Sequence, residues 1–163
     1  MKRLSWKYIA GLIDGEGCID FQICGDNRSN SAVRYPRPRL RVAMTEGALP
    51  VLEMMKTNFG GNVWCATKRH NPKWQDAYYW ELQGRRIRGF LQNLQNHLIL
   101  KKEQAKFCIW WIDNMMGKQS KTEGFENINE ARLVARQELS AMKLSPQRLS
   151  DQAVQAVKSV LMR

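Results

Sequence analysis

The hydrophobic period of this chain switches back and forth between two values, and that alternation limits the possible folds more than any other property of the sequence. Trp6, Ile9, Ala10 and Ile13 recur at helical spacing, with Leu4, Tyr8, Leu12 and Gly15 on a second stripe, which predicts a first helix buried on two sides. From Cys18 to Cys24 the period falls to two. Ile19, Phe21 and Ile23 alternate with Cys18, Asp20, Gln22 and Cys24, the pattern of a strand with one wet face. After a polar turn over 25–30, alternation resumes over 37–44, with Leu40, Val42 and Met44 opposite Arg37, Arg39, Arg41 and Ala43, so the two runs predict a hairpin. A helix follows over 48–59, closing at Gly60-Gly61. Two more strands are predicted over 62–69 and 77–82, around a turn at His70-Asn71-Pro72-Lys73, and then a helix over 86–98. Beyond Lys101 the chain reads as helices over 103–116, 126–142 and from Pro146, placed at a first helical position behind Ser145. The class is α+β, in the order αββαββα followed by C-terminal helices, and no low-complexity linker interrupts it.

A chain of 163 residues is too short for a multi-domain enzyme. Its 26 Lys and Arg against 15 Asp and Glu leave a charge of +11, and the pI is near 9.8, which points to a polyanionic partner. The charge is clustered. Between Asn27 and Thr45 there are five arginines (Arg28, Arg34, Arg37, Arg39, Arg41) and no acid; between Leu82 and Lys102 there are Arg85, Arg86, Arg88, Lys101 and Lys102, again with no acid. No apolar run approaches the roughly 20 residues of a bilayer span, and Met1-Lys2-Arg3-Leu4-Ser5-Trp6 leads into no obvious secretion signal. Cys18, Cys24, Cys65 and Cys108 form no Cys-x-x-Cys pair, and only His70 and His97 accompany them, which argues against zinc and redox motifs and for reduced, intracellular thiols.

The segment Ile9-Ala10-Gly11-Leu12-Ile13-Asp14-Gly15-Glu16-Gly17 closely resembles the signature of the LAGLIDADG homing endonucleases, and the αββαββα order resembles their core. The resemblance covers roughly residues 6–105 and includes Leu100-Lys101-Lys102-Glu103-Gln104-Ala105, similar to the segment carrying the family's basic catalytic residue. It implies a single endonuclease domain over 1–163, with a core at about 6–105 built on a curved antiparallel DNA-binding sheet and a helical part at about 106–163. It further implies that Glu16 is the metal-binding catalytic carboxylate and that the Gly15 carbonyl is a second metal ligand, with Glu here in place of the family's Asp. Lys101 corresponds by its position to the basic active-site residue. Glu46 corresponds to a polar position that orients active-site water, whereas an arginine found a few residues later in some relatives is replaced here by Pro50.

The motif also carries its own physics. Gly11 and Gly15 lie four residues apart beside Ala10, and small residues at that spacing let two helix backbones approach closely. The chain contains no second such motif, so the expected partner is another copy, in a symmetric homodimer. Asp14 and Glu16 fall at the negative end of the helix macrodipole, which disfavours each by up to about 1 kcal/mol, so a positive group is expected nearby. Two-fold symmetry would crowd the Glu16 carboxylates of both copies, an arrangement relieved by a divalent cation. Hard oxygen ligands suit Mg²⁺.

Arg37, Arg39 and Arg41 on one strand face are about 6.7 Å apart, matched to phosphates or successive bases. In a major groove arginine pairs with guanine and amides pair with adenine, so Gln22 is a candidate reader, with Asp20 as an acceptor from cytosine and Cys24 on the same side. Asn62, Trp64, Lys68 and His70 share one face of the third strand. The expected function is therefore site-specific, Mg²⁺-dependent double-strand cleavage of a long pseudo-palindromic DNA by a homodimer. The alternative is a non-cleaving RNA maturase that assists intron splicing; the acid at Glu16 and the base at Lys101 favour the nuclease.

Overall fold

The computed structural model describes residues 4–25, 34–67, 75–145 and 147–163. Its first helix, α1 (Trp6–Glu16), starts where Ser5 Oγ accepts a hydrogen bond from the Tyr8 N–H, and passes at Gly17 straight into the first strand, β1 (Gly17–Gly25). Gly17 has to be glycine. A Cβ there would stand 2.6 Å from the Ile13 carbonyl oxygen and 2.8 Å from the Ile13 Cα. β2 (Arg34–Thr45) pairs antiparallel with β1 as the alternation predicts, and a single 3₁₀ turn, Glu46–Ala48, leads into α2 (Leu49–Phe59). β3 (Asn62–Thr67) and β4 (Ala77–Gln83) follow, and the sheet order is β1-β2-β4-β3. The α2–β3 turn also requires glycine at Gly61, where φ is +87° and an added Cβ would meet the Glu81 carbonyl oxygen at 2.5 Å.

α3 (Ile87–Leu94) is shorter than the periodicity suggests, because 95–101 leaves the helix. α4 (Lys102–Asn114), α5 (Ile128–Leu144) and α6 (Ser150–Leu161) complete the chain. The last helix begins later than the predicted start at Pro146, which itself lies outside the described residues. Glu103 Oε2 on α4 accepts from the Ser150 N–H at 2.9 Å and from Ser150 Oγ at 2.8 Å, a contact between distant segments that pins the first turn of α6 at Ser150.

Ile9 and Ile13 of α1, Ile19 and Phe21 of β1, Leu40 and Val42 of β2, and Trp80 and Leu82 of β4 are buried on the helix-covered side of the sheet. Trp6, Phe59, Phe90 and Trp80 bring α1, α2, α3 and β4 into one aromatic cluster, with ring centroids 5.1–5.6 Å apart in the contacts through Phe59 and Phe90. Phe21 packs on Phe107 and Trp111 of α4, and α5 runs along β1, covering the edge strand. One hydrophobic cluster therefore spans the sheet and all six helices. Among the described residues no helix is long and apolar enough to cross a membrane.

Candidate active site and nucleic-acid face

Among the described residues only one side of α1 is buried, not the two that the sequence predicts. Ile9, Ala10 and Ile13 are in the core, whereas Gly11, Gly15, Glu16 and Tyr8 are exposed. Ala10, expected beside the two glycines on a partner-facing surface, is 1% exposed and packs against this chain's own interior. A Cβ added at Gly11 or Gly15 would meet nothing within 4 Å, so nothing inside the described chain calls for glycine at either position.

The positive group expected at the end of α1 is Lys101. Its Nζ donates to the Asp14 carbonyl oxygen, one of the last-turn carbonyls that lack an intrahelical donor. The Asp14 side chain is bound as well, with Oδ2 accepting from the Ile99 N–H at 2.7 Å and Oδ1 from the Lys101 N–H at 3.0 Å. Glu16, two residues on, is exposed. Because Gly17 pairs with Val42, the end of α1 lies at the same end of the sheet as the β2 terminus, where Glu46 opens the 3₁₀ turn with an exposed side chain. Lys101, Glu16 and Glu46, distant in sequence, thus share one end of the sheet.

The opposite sheet face gathers the residues expected to meet DNA. Strand register sets Gln22 opposite Arg37, then Asp20–Arg39–Gln83 across three strands, then Cys18–Arg41–Glu81–Asn62 across four, and Ala43–Tyr79–Trp64 beyond them. Cys24 continues the β1 side of this face and is part-buried; Lys68 and His70 lie outside the described residues. Arg37, Asn62 and Trp64 are exposed.

Arg39 does not project freely. Its Nε and Nη2 donate to the two oxygens of Asp20, each at 2.8 Å, and Nη1 lies 3.8 Å from Glu81 Oε2. The Asp20 and Arg39 side chains are 19% and 17% exposed and that of Glu81 is 3%. Burial would raise the Asp20 carboxyl, but the Arg39 hydrogen bonds and charge, helped by Lys143 and Arg41, hold it below the usual carboxylate range. Glu81 is pushed up by burial, which Arg39 and Arg41 only partly offset. Arg41 lies over the Tyr79 ring, 4.5 Å from its centroid. Lys143 reaches in from α5, its Nζ 3.3 Å from Cys18 Sγ. Sequence reasoning missed Glu81 and Lys143. Period-two alternation could have found Glu81, which shares its face with Tyr79 and Gln83, but no local pattern announces Lys143. Part of the basic charge is internally engaged, with Arg88 paired to Asp113 and Arg85 donating to the Met116 carbonyl.

The chain belongs to the LAGLIDADG endonuclease family, whose model matches residues 9–112, from the middle of α1 through most of α4. No curated protein sequence matches it. Among solved structures it is similar to the homing endonuclease I-CvuI, in a complex with the I-CreI target in the presence of Mg and with the DNA not cleaved, at 19% identity and a TM-score of 0.63 over 97% of this chain and 94% of that one. It is also similar to the homing endonuclease I-TnaI, at 19% identity and a TM-score of 0.60, over 98% and 99% of the two chains. I-LtrWI bound to its target DNA matches at 17% identity and a TM-score of 0.59, over 89% of this chain but 49% of that one. At these identities the likeness establishes the fold.

Proposed function

We propose that this chain is a site-specific DNA endonuclease that acts as a symmetric homodimer and makes Mg²⁺-dependent double-strand breaks in a long pseudo-palindromic target. The observation that carries this reading is the end of α1, where the exposed carboxylate of Glu16 stands two residues from a carbonyl that binds the Lys101 ammonium, at the border of an arginine-bearing sheet face.

Glu16 and the Gly15 carbonyl would hold the metal, and both are hard oxygen donors at an exposed helix end. Among the described residues no three His, Cys, Asp or Glu side chains gather into a metal site, so the remaining ligands would come from the second copy, from phosphate and from water. When bound, Mg²⁺ supplies a Lewis acid that lowers the pKa of a water and neutralises phosphate charge. Lys101 puts positive charge where the transition state accumulates negative charge, and the Glu46 carboxylate accepts a hydrogen bond that orients water at the same end of the sheet.

The dimer reading is supported by the exposed Gly11 and Gly15, by Tyr8 beside them, and by Ile99 and Leu100, which are 86% and 56% exposed next to the same helix end. It also agrees with the match to I-TnaI over nearly all of both chains, against a match to only about half of I-LtrWI. On the sheet, Arg37 and Arg41 would contact phosphates or bases, with Asn62 as an exposed amide reader; Gln22, whose Oε1 is buried without a partner among the described residues, would have to turn outward to read a base. Arg39, braced by Asp20, would lose less freedom than an unbraced arginine on pairing with guanine.

The test is cleavage of a randomised duplex library with Mg²⁺ and sequencing of the cut ends. The expected result is a long site with two-fold symmetry, cut near its centre on both strands. Binding to intron RNA with no cutting of any duplex would replace this reading with that of an RNA maturase.

A further inference from the structure

We propose that Asp14 is a positioning residue for Lys101, holding the lysine segment against the end of α1 so that the ammonium and Glu16 are presented as one rigid unit. This deepens the nuclease reading and rests on it. Three hydrogen bonds link two segments 85–87 residues apart in sequence: Ile99 N–H to Oδ2 at 2.7 Å, Lys101 N–H to Oδ1 at 3.0 Å, and Lys101 Nζ to the Asp14 carbonyl. Lys101 is therefore bound at both its backbone and its tip by the same residue, which closes the flexible side chain into a loop and removes most of its rotamer freedom.

Little else fixes that segment. It lies between the end of α3 at Leu94 and the start of α4 at Lys102, and of its side chains only Leu98 is buried, while Ile99 and Leu100 face outward. Apolar burial within the chain cannot set the lysine's position to the fraction of an ångström that transition-state stabilisation needs, so the polar contacts must. Both carboxylate oxygens are used as acceptors. An amide at this position keeps one acceptor and turns an N–H donor towards a second N–H donor, so it loses one bond and adds a repulsion.

The test combines a double-mutant cycle with amide exchange. Asp14→Asn is expected to lower kcat by about 10–100-fold with KM changed less than about 2-fold, and in a Lys101→Met background to cost less than about 2-fold more, because the effect runs through the lysine. In the metal-free protein the Ile99 and Lys101 amides should exchange at least about tenfold faster in Asp14→Asn, with protection of Ile13 in α1 unchanged. Asp14→Ser, which is smaller and uncharged, repeats the measurement if the amide variant does not fold. An equal loss of kcat with and without Lys101, or unchanged exchange at Ile99 and Lys101, overturns the proposal. If the unsubstituted protein cuts no duplex in the library, it is the nuclease reading that fails, and the exchange rates alone still decide whether Asp14 holds the segment.

Discussion

Adding one methyl group at Gly11 should stabilise the subunit and weaken the proposed dimer, two effects of opposite sign from a single substitution. Gly11 lies in the interior of α1, has no positive φ, and a Cβ there meets no atom within 4 Å. Gly11→Ala thus removes the entropic penalty of glycine in a helix without a clash, a gain of about 0.5–1 kcal/mol. For a chain of this length that is a rise of up to about 2–4 °C in Tm. Across the proposed two-fold axis the same methyl must fit between backbones brought together by their lack of side chains. Overpacking of about 1–3 kcal/mol there weakens the dimer by about 5-fold to 150-fold. Sedimentation equilibrium gives the dimer constant, and thermal unfolding over a wide concentration range separates the subunit's own Tm from the part due to association. Gly11→Leu exaggerates the interface effect. A Gly11→Leu protein with the wild-type dimer constant, or a Gly11→Ala subunit less stable than wild type when dilute, refutes the reasoning.

Glu16→Gln keeps the shape but replaces one acceptor oxygen by a donor and removes the proposed ligand charge, so Mg²⁺-dependent cutting should be lost while duplex affinity stays; cutting that persists would remove Glu16 from the proposed catalytic role. Arg39→Ala strands Asp20 and the buried Glu81 without their cation, and urea unfolding should register a loss of about 1–3 kcal/mol at pH 7. Since Asp20 is held below its ordinary range, the stability it contributes is present above that range and vanishes as pH falls through the folded value, so the gap to wild type should close in acid. A gap independent of pH would mean that lost packing, not charge, is the cause. Glu103 is depressed to about 2, because its bonds to Lys106 and Ser150 outweigh the cost of burial. Glu103→Gln should therefore lose about 1–2 kcal/mol at neutral pH, measured against a wild-type advantage that fades as pH drops from about 4.5 towards 2. Equal pH slopes for the two proteins would contradict that assignment.

Asp14 illustrates how far the sequence alone reaches. Its place at the negative end of α1 already demanded a cation, which is a local argument, but the cation is Lys101, 87 positions away, and only the packing of α3 on α1 and of α4 on α3 brings it there. The element order, the two faces of each strand and the arginine row follow from near-neighbour periodicity, since a helix or a strand repeats within a few residues. What escaped was whatever depends on which segments meet. Arg39 looks like a free reader in the sequence, yet it is held by Asp20 from the neighbouring strand and approached by Glu81 from the strand on its other side. Ala10 belongs to the motif's small residues but turns inward, and α6 starts at Ser150 because a carboxylate on α4 takes its first N–H. Local spacing determined which atoms are available on which face of each element, and tertiary packing decided which of them are already engaged, because hydrogen bonds and burial are settled by proximity in space and the chain's periodicities carry no record of it.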